Sequence, residues 1–204
     1  MGKKNLSLFG GYKCILADPP WPERGGGKIK RGADRHYDLM NVDEISSLMK
    51  ELLSWRFHPE ACGSHMWLWV TNNFLKQGIL LMEELGFRYV TNAVWAKNRM
   101  GLGYYLRGQH ELLLFGVSGK LEPISKNNPT LIGRDLIKRE EHSKKPEQSF
   151  DLIESVSPGP RVEIFSRKKR PGWECWGYGV GDSETGKPDS KTLQNGSLFE
   201  ESAF

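Results

Sequence analysis

The sequence predicts an α/β fold, with a mostly parallel central sheet and helices on both faces. Two observations predict it. Short apolar runs alternate with amphipathic stretches of helical period along the chain. One of these runs, Met66 to Val70, also lacks the apolar–polar alternation of a half-exposed sheet, as strands covered on both faces do.

Lys13 to Ala17 is the first buried strand. Glu44 to Leu53 follows as a helix, with Ile45, Leu48, Met49 and Leu52 on one face and its cap at Asn41 or Asp43. Met66 to Val70 is the second strand. Asn73 to Leu85 is an apolar-periodic helix stopped by Gly86, and Tyr89 to Trp95 is the third strand. A polar, glycine-containing segment leads to the fourth, Glu111 to Phe115. Pro146 opens a helix that runs to Ser155 and closes at Ser157-Pro158-Gly159, and Arg161 to Phe165 is the last strand. Residues 1–180 form one domain. Residues 181–204, rich in Ser, Gly, Lys and Asp without a period, read as a flexible tail.

Ligands of such sheets bind beyond the C-terminal ends of the strands. Asp18, Thr71, Lys97 and Ser166 each follow a strand, so they are expected to converge on one crevice. At the first of these positions lies the most informative stretch, Ala17-Asp18-Pro19-Pro20-Trp21. The carboxylate can accept a hydrogen bond, and the prolines fix the backbone and leave carbonyls as acceptors. The indole of Trp21 offers a surface for stacking. Together they suit a planar group with an exocyclic amine, of which adenine is the leading candidate.

No apolar run approaches the roughly 20 residues a membrane span needs. Met1 to Asn5 is basic without a following signal-type apolar region, so a cytoplasmic location is expected. Cys14, Cys62 and Cys175 form no CxxC pair, and the five histidines match no metal-ligand spacing, so no metal site is expected. Gly25-Gly26-Gly27-Lys28 lacks the ending of a phosphate loop, and no G-x-S-x-G elbow supports a serine triad. The net charge is only +4, but basic residues gather at 24–35, 97–107 and 167–170, each beside an aromatic or acidic motif. That distribution points to an anionic polymer.

These motifs resemble, in order, those of the MT-A70 adenine-N6 methyltransferases. The resemblance spans roughly Tyr12 to Gly177. It rests on Ala17 to Trp21, His36 to Met40, Leu68 to Thr71, Val94 to Asn98, Gly108 to Glu111, Phe115 to Val117, Lys145-Pro146, Glu163 to Arg167, and Gly172-Trp173 with Trp176-Gly177. It implies a Rossmann-like fold of permuted motif order and S-adenosylmethionine as cofactor. It also implies that Asp18, Pro19, Pro20 and Trp21 form the catalytic motif and that Lys145 meets the methionine carboxylate. Glu163, Phe165, Ser166, Arg167 and Trp173 are then expected around ribose and adenine.

On the substrate side, Trp21 and Tyr37 are expected to wall the base. Lys97, Asn98, Arg107, His110 and Glu111 are expected to hold the nucleotide, with His110-Glu111 either orienting their loop or buttressing Asp18. The resulting expectation is methylation of adenine N6 in DNA. RNA is the alternative polymer, and a non-catalytic nucleic-acid-binding partner is the competing class. A homodimer or a separate protein partner is compatible with either reading.

Overall fold

A computed structural model describes residues 11–22, 39–98, 100–101, 105–133, 145–177 and 180. Tyr37, the glycine-rich stretch 24–35 and the tail 181–204 lie outside the described residues.

The chain order is β1 (Cys14–Ala17), α1 (Val42–Trp55), β2 (Gly63–Val70), a 3-10 turn (Asn72–Phe74) leading into α2 (Leu75–Glu84), β3 (Arg88–Ala96) and β4 (His110–Gly119). It ends with β5 (Leu131–Ile132), α3 (Glu147–Val156), β6 (Arg161–Ile164) and β7 (Glu174–Trp176). The strands form one seven-stranded sheet in the order β5-β3-β4-β2-β1-β6-β7. Only β4 runs antiparallel to its neighbours; every other pairing is parallel. The helices and strands expected from the sequence are present, with ends displaced by one to four residues. β5 and β7 were not expected, because two or three residues are too short to show a period.

Local chemistry explains the boundaries. Asn41 caps α1 in a reciprocal box with Glu44, each side chain accepting the other's backbone N–H. α2 enters through a tighter turn because Thr71 provides no side-chain cap, and the Phe74 N–H bonds the Thr71 carbonyl instead. All eight residues of β2 are buried. Its even-numbered residues Met66, Leu68 and Val70 pack with Ile15 and Ala17 beneath Ile45, Met49 and Leu52 of α1 and Leu81 and Met82 of α2. Its odd-numbered Trp67 and Trp69 join Cys14, Leu16 and Leu113 beneath Phe150 and Ile153 of α3. The result is a three-layer α/β/α arrangement.

Since β1, β2, β3 and β6 are parallel, their C-terminal ends share one edge of the sheet. Antiparallel β4 brings its beginning, His110 and Glu111, to the same edge. Among the described residues no helix is long and apolar enough to cross a membrane.

Candidate active site

Register puts four charged side chains along the α3-facing rim of that edge. Asp18 follows β1, Glu111 opens β4 opposite Trp95, Lys97 follows β3, and Lys145 immediately precedes α3. The Lys145 ammonium lies 2.8 Å from Asp18 Oδ1 and 2.9 Å from Oδ2. It lies 3.4 Å from Glu111 Oε2, whose other oxygen accepts from Lys97. The order is therefore Asp18, Lys145, Glu111, Lys97, with alternating sign.

Two indoles support the cations from below. Lys145 Nζ stands 5.2 Å from the ring centroid of Trp69, and Lys97 Nζ stands 4.8 Å from that of Trp95. The indoles meet edge-on at 6.2 Å. Burial alone would raise the Glu111 carboxyl, but the ammoniums of Lys145 and Lys97 outweigh it and hold it below the ordinary carboxylate value.

Asp18 is fixed from the neighbouring strand β6, its N–H donating to Ile164 O at 3.3 Å. The turn after it is tight, the Trp21 N–H reaching back to Pro19 O at 2.8 Å. Met40 N–H donates to Pro20 O at 3.1 Å. Both proline carbonyls thus already accept one hydrogen bond, contrary to the expectation of free acceptors, and each keeps one lone pair.

Trp21 is 7% exposed, stacks on Phe74 at 5.5 Å and 16°, and donates its indole N–H to Trp69 O at 2.7 Å. Sequence reasoning expected this ring to wall the base. The structure seats it in the core between the β1 and β2 ends, where it braces the Asp18 turn. The expected role of Tyr37 falls outside the described residues.

Beside Asp18, the end of β6 carries the expected cofactor segment. Glu163 is partly buried, and that burial, together with the Asp18 charge, raises its carboxyl while Ser166 and Arg170 oppose the rise. Phe165 adopts φ 68°, the left-handed region that a side chain other than Asn or Asp rarely occupies. The strain turns the chain abruptly off β6. Ser166 is buried and donates its N–H to Trp176 O at 2.9 Å. Gly177 permits that approach, since a Cβ there would lie 2.3 Å from Ser166 O at a φ of 156°. Arg167 is exposed just beyond.

Trp173 is a correction. It precedes β7 at the opposite edge of the sheet, 8% exposed, edge-on to Phe150 and donating to Glu154 Oε1 at 2.7 Å. It packs α3 against the sheet and lies away from the strand-end crevice. Asn98 and Arg107 are exposed on the β3–β4 connection, and His110 is exposed at the start of β4 beside Glu111. The supporting roles of Trp69 and Trp95 were missed. Trp67 and Trp69, two apart on β2, read as core packing from the sequence, and only the ammoniums above Trp69 and Trp95 reveal the second role.

A Rossmann-like sheet with an Asp-Pro-Pro-Trp turn and paired charges beyond its parallel strand ends defines a methyltransferase class of protein. The MT-A70 family profile matches residues 12–179, so the chain belongs to the MT-A70 family, whose methyl donor is S-adenosylmethionine. It is 28% identical over 194 residues to the type II methyltransferase M.MunI of a Mycoplasma species, covering 85% of this chain and 79% of that protein. It is 28% identical to a putative N(6)-adenosine-methyltransferase MT-A70-like protein of Medicago truncatula, with coverages of 84% and 27%. Against the human N(6)-adenosine-methyltransferase catalytic subunit METTL3 it is 26% identical, with coverages of 83% and 28%. The chain thus spans little more than a quarter of the plant and human proteins.

Proposed function

We propose that this chain transfers a methyl group from S-adenosylmethionine to N6 of adenine in DNA. The observation that carries the reading is the Asp18 carboxylate, held by Lys145 at the mouth of the parallel strand ends. DNA is favoured over RNA because the Mycoplasma type II methyltransferase is matched over 79% of its own length. Basic residues at 24–35, 97–107 and 167–170 suit either polymer.

The donor set fits the cofactor. Lys145 offers a cation for the methionine carboxylate, Glu163 an acceptor for its amine or ribose hydroxyls, and Phe165 to Arg167 a backbone bend at the strand end. Bound S-adenosylmethionine supplies a methyl group on a sulfonium, an electrophile the chain itself lacks.

The N6 lone pair of adenine is delocalised into the ring and therefore a weak nucleophile. Asp18 accepts an N–H of that amine, and the remaining lone pair of the Pro19 carbonyl accepts the second. Both bonds favour a pyramidal nitrogen whose lone pair faces the methyl group. Bound S-adenosylmethionine would offer its methyl carbon to that lone pair, the new N–C bond replacing the C–S bond and that bond's electron pair staying on sulfur. The surplus N6 proton becomes acidic only then, with Asp18 beside it to accept it. Alignment supplies much of the rate. Trp21 contributes by fixing the Asp18 turn from the core.

The test is nucleoside mass spectrometry after incubation with S-adenosylmethionine and duplex DNA, single-stranded DNA or RNA, with an Asp18→Ala protein in parallel. New N6-methyladenine in DNA, lost in the variant, is the expected result. Methylation of RNA alone overturns the polymer; methylation of neither overturns the enzyme reading.

A further inference from the structure

We infer that a groove along the first turns of α2 holds a nucleotide neighbouring the target adenine, and that Asn72 and Asn73 read its base. The inference rests on the DNA-methylation reading above. The groove offers about 450 Å3 and is lined by Asn72, Asn73, Leu75, Lys76, Ile79 and Leu80. That volume lies in the range of small-ligand clefts.

Position ties the groove to the catalytic turn. Ala17 pairs with Leu68, so Asp18 stands level with Trp69. The chain then runs on through Val70 and an extended Thr71 (φ −82°, ψ 157°) to Asn72. At strand rise those three residues carry it about 10 Å past Asp18, beyond the edge of the sheet where substrate approaches. Phe74, the last residue of the 3-10 turn, stacks on Trp21 at 5.5 Å. The turn that carries the two asparagines therefore abuts the turn that carries Asp18. A strand whose adenine sits at Asp18 passes a neighbouring nucleotide over the groove.

The polar side chains of the groove are not spent on the fold. Asparagine is a preferred helix cap, yet neither residue caps the 3-10 turn or α2, which start without a side-chain hydrogen bond. Both are exposed, and among the described residues neither amide takes part in a hydrogen bond. Lys76 is exposed in the first turn of α2, where the helix dipole disfavours a cation, and it pairs with no carboxylate among the described residues. Leu75 and Ile79 are half-buried and Leu80 is 48% exposed, so an apolar wall continues below the amides.

Chemistry selects the occupant. A carboxamide presents a donor and an acceptor side by side, and base edges present the complementary groups in an order set by their identity. Aliphatic side chains meet the apolar part of a base. An ammonium beside them meets the phosphate, and no carboxylate lines the groove to repel it. Phosphate contacts position a strand whereas base contacts specify it, so Lys76 and the asparagines have separable effects.

The test uses single-stranded oligonucleotides with one central adenine and varied bases at the two positions on either side. Methylation of the central adenine is read by tandem mass spectrometry for wild type, Asn72→Ala/Asn73→Ala and Lys76→Ala. All three substituted positions are exposed, so the fold should survive; circular dichroism and the calorimetric Kd for S-adenosylmethionine check it. Wild type is expected to favour one base at one neighbouring position by about tenfold. The asparagine variant should fall to the wild-type rate on the disfavoured bases and treat all bases within about twofold. Lys76→Ala should keep the preference, weaken binding of every oligonucleotide, and flatten the slope of log K against log salt by about 0.7 in fluorescence anisotropy. Lys76→Arg should restore that slope.

A wild type indifferent to the neighbouring bases, a preference that survives loss of both amides, or a salt slope unchanged by Lys76→Ala overturns the subsite while leaving DNA methylation standing. So does a wild-type dimer that the variants split into monomers with the base preference intact, which gives the groove to a second copy of the chain. Wild type that methylates no DNA removes the underlying reading and the subsite with it.

Discussion

Lys145 sits astride the Asp18 carboxylate, 2.8 Å from one oxygen and 2.9 Å from the other, although 127 residues separate them in sequence. The side chains are only 16% and 20% exposed, so solvent screens the pair weakly. Asp18→Asn keeps the shape and one acceptor oxygen but removes the charge. The expected outcome is a fall in kcat of about 100-fold or more with cofactor affinity little changed. Lys145→Met should instead raise the apparent Kd for S-adenosylmethionine by about tenfold or more. Urea denaturation of both single variants and the double variant should show a coupling of about 1–2 kcal/mol. Additive effects would mean that the contact does not matter in solution.

Trp21 is expected to act by bracing. Trp21→Phe retains the stack on Phe74 but deletes the indole N–H that Trp69 O accepts. It should cost about 1 kcal/mol in urea denaturation and lower kcat by a few-fold, by loosening the Asp18 turn. Trp21→Ala should cost about 3–5 kcal/mol because it opens a cavity between the β1 and β2 ends. Full stability with a selective rise in KM for DNA would instead mean that the ring meets the base.

The fold was legible because its central strands carry apolar runs and amphipathic helices separate them. Met66 to Val70 and the Ile45, Leu48, Met49, Leu52 face are strong periodic signals. The convergence of Asp18 and Lys97 followed from strand direction alone. What escaped was whatever depends on distant partners. Trp173 belongs to one of the motifs that carry the family resemblance, yet its contact with Glu154 of α3 is decided by packing. The loss of one acceptor on each proline carbonyl is decided by Trp21 and Met40, neither of which periodicity connects to them. Likewise, no spacing rule places Lys145 over Trp69.

Glu163 should trade stability for binding. Burial raises its carboxyl above the ordinary value of 4.5, with Asp18 adding to the rise. A raised folded-state value means stability is fully present below about pH 4.5 and lost as pH climbs through the folded value. At neutral pH, therefore, the ionised group is a cost. Glu163→Gln removes that cost, so Tm at pH 7.5 should rise. Removing the acceptor should also weaken S-adenosylmethionine binding by about tenfold, read by calorimetry. A higher Tm with unchanged cofactor affinity would show that Glu163 does not contact the cofactor.

Beneath β2, His65 and Ser157 set a second pH dependence, remote from the active site. His65 is fully buried, with Nδ1 2.9 Å from Ser157 Oγ and Nε2 3.1 Å from Leu121 O. Leu121 O can only accept, so Nε2 carries the proton and the Ser157 hydroxyl donates to Nδ1. The same hydroxyl accepts from Trp67 Nε1 at 2.8 Å. Ser157→Ala should cost about 2–4 kcal/mol in urea denaturation, since it leaves a buried donor and a buried acceptor unpaired. Burial lowers the imidazole below its ordinary 6.5, with Leu121 O only partly opposing. The unfolded chain therefore takes up a proton near pH 6.5 that the folded chain refuses. Stability from this group is present above that pH and is lost as pH falls toward the folded value. Wild type should lose stability as pH falls below about 6.5, while His65→Gln, though less stable throughout, should show a flatter profile. Equal slopes in the two proteins would assign the acid sensitivity to another group.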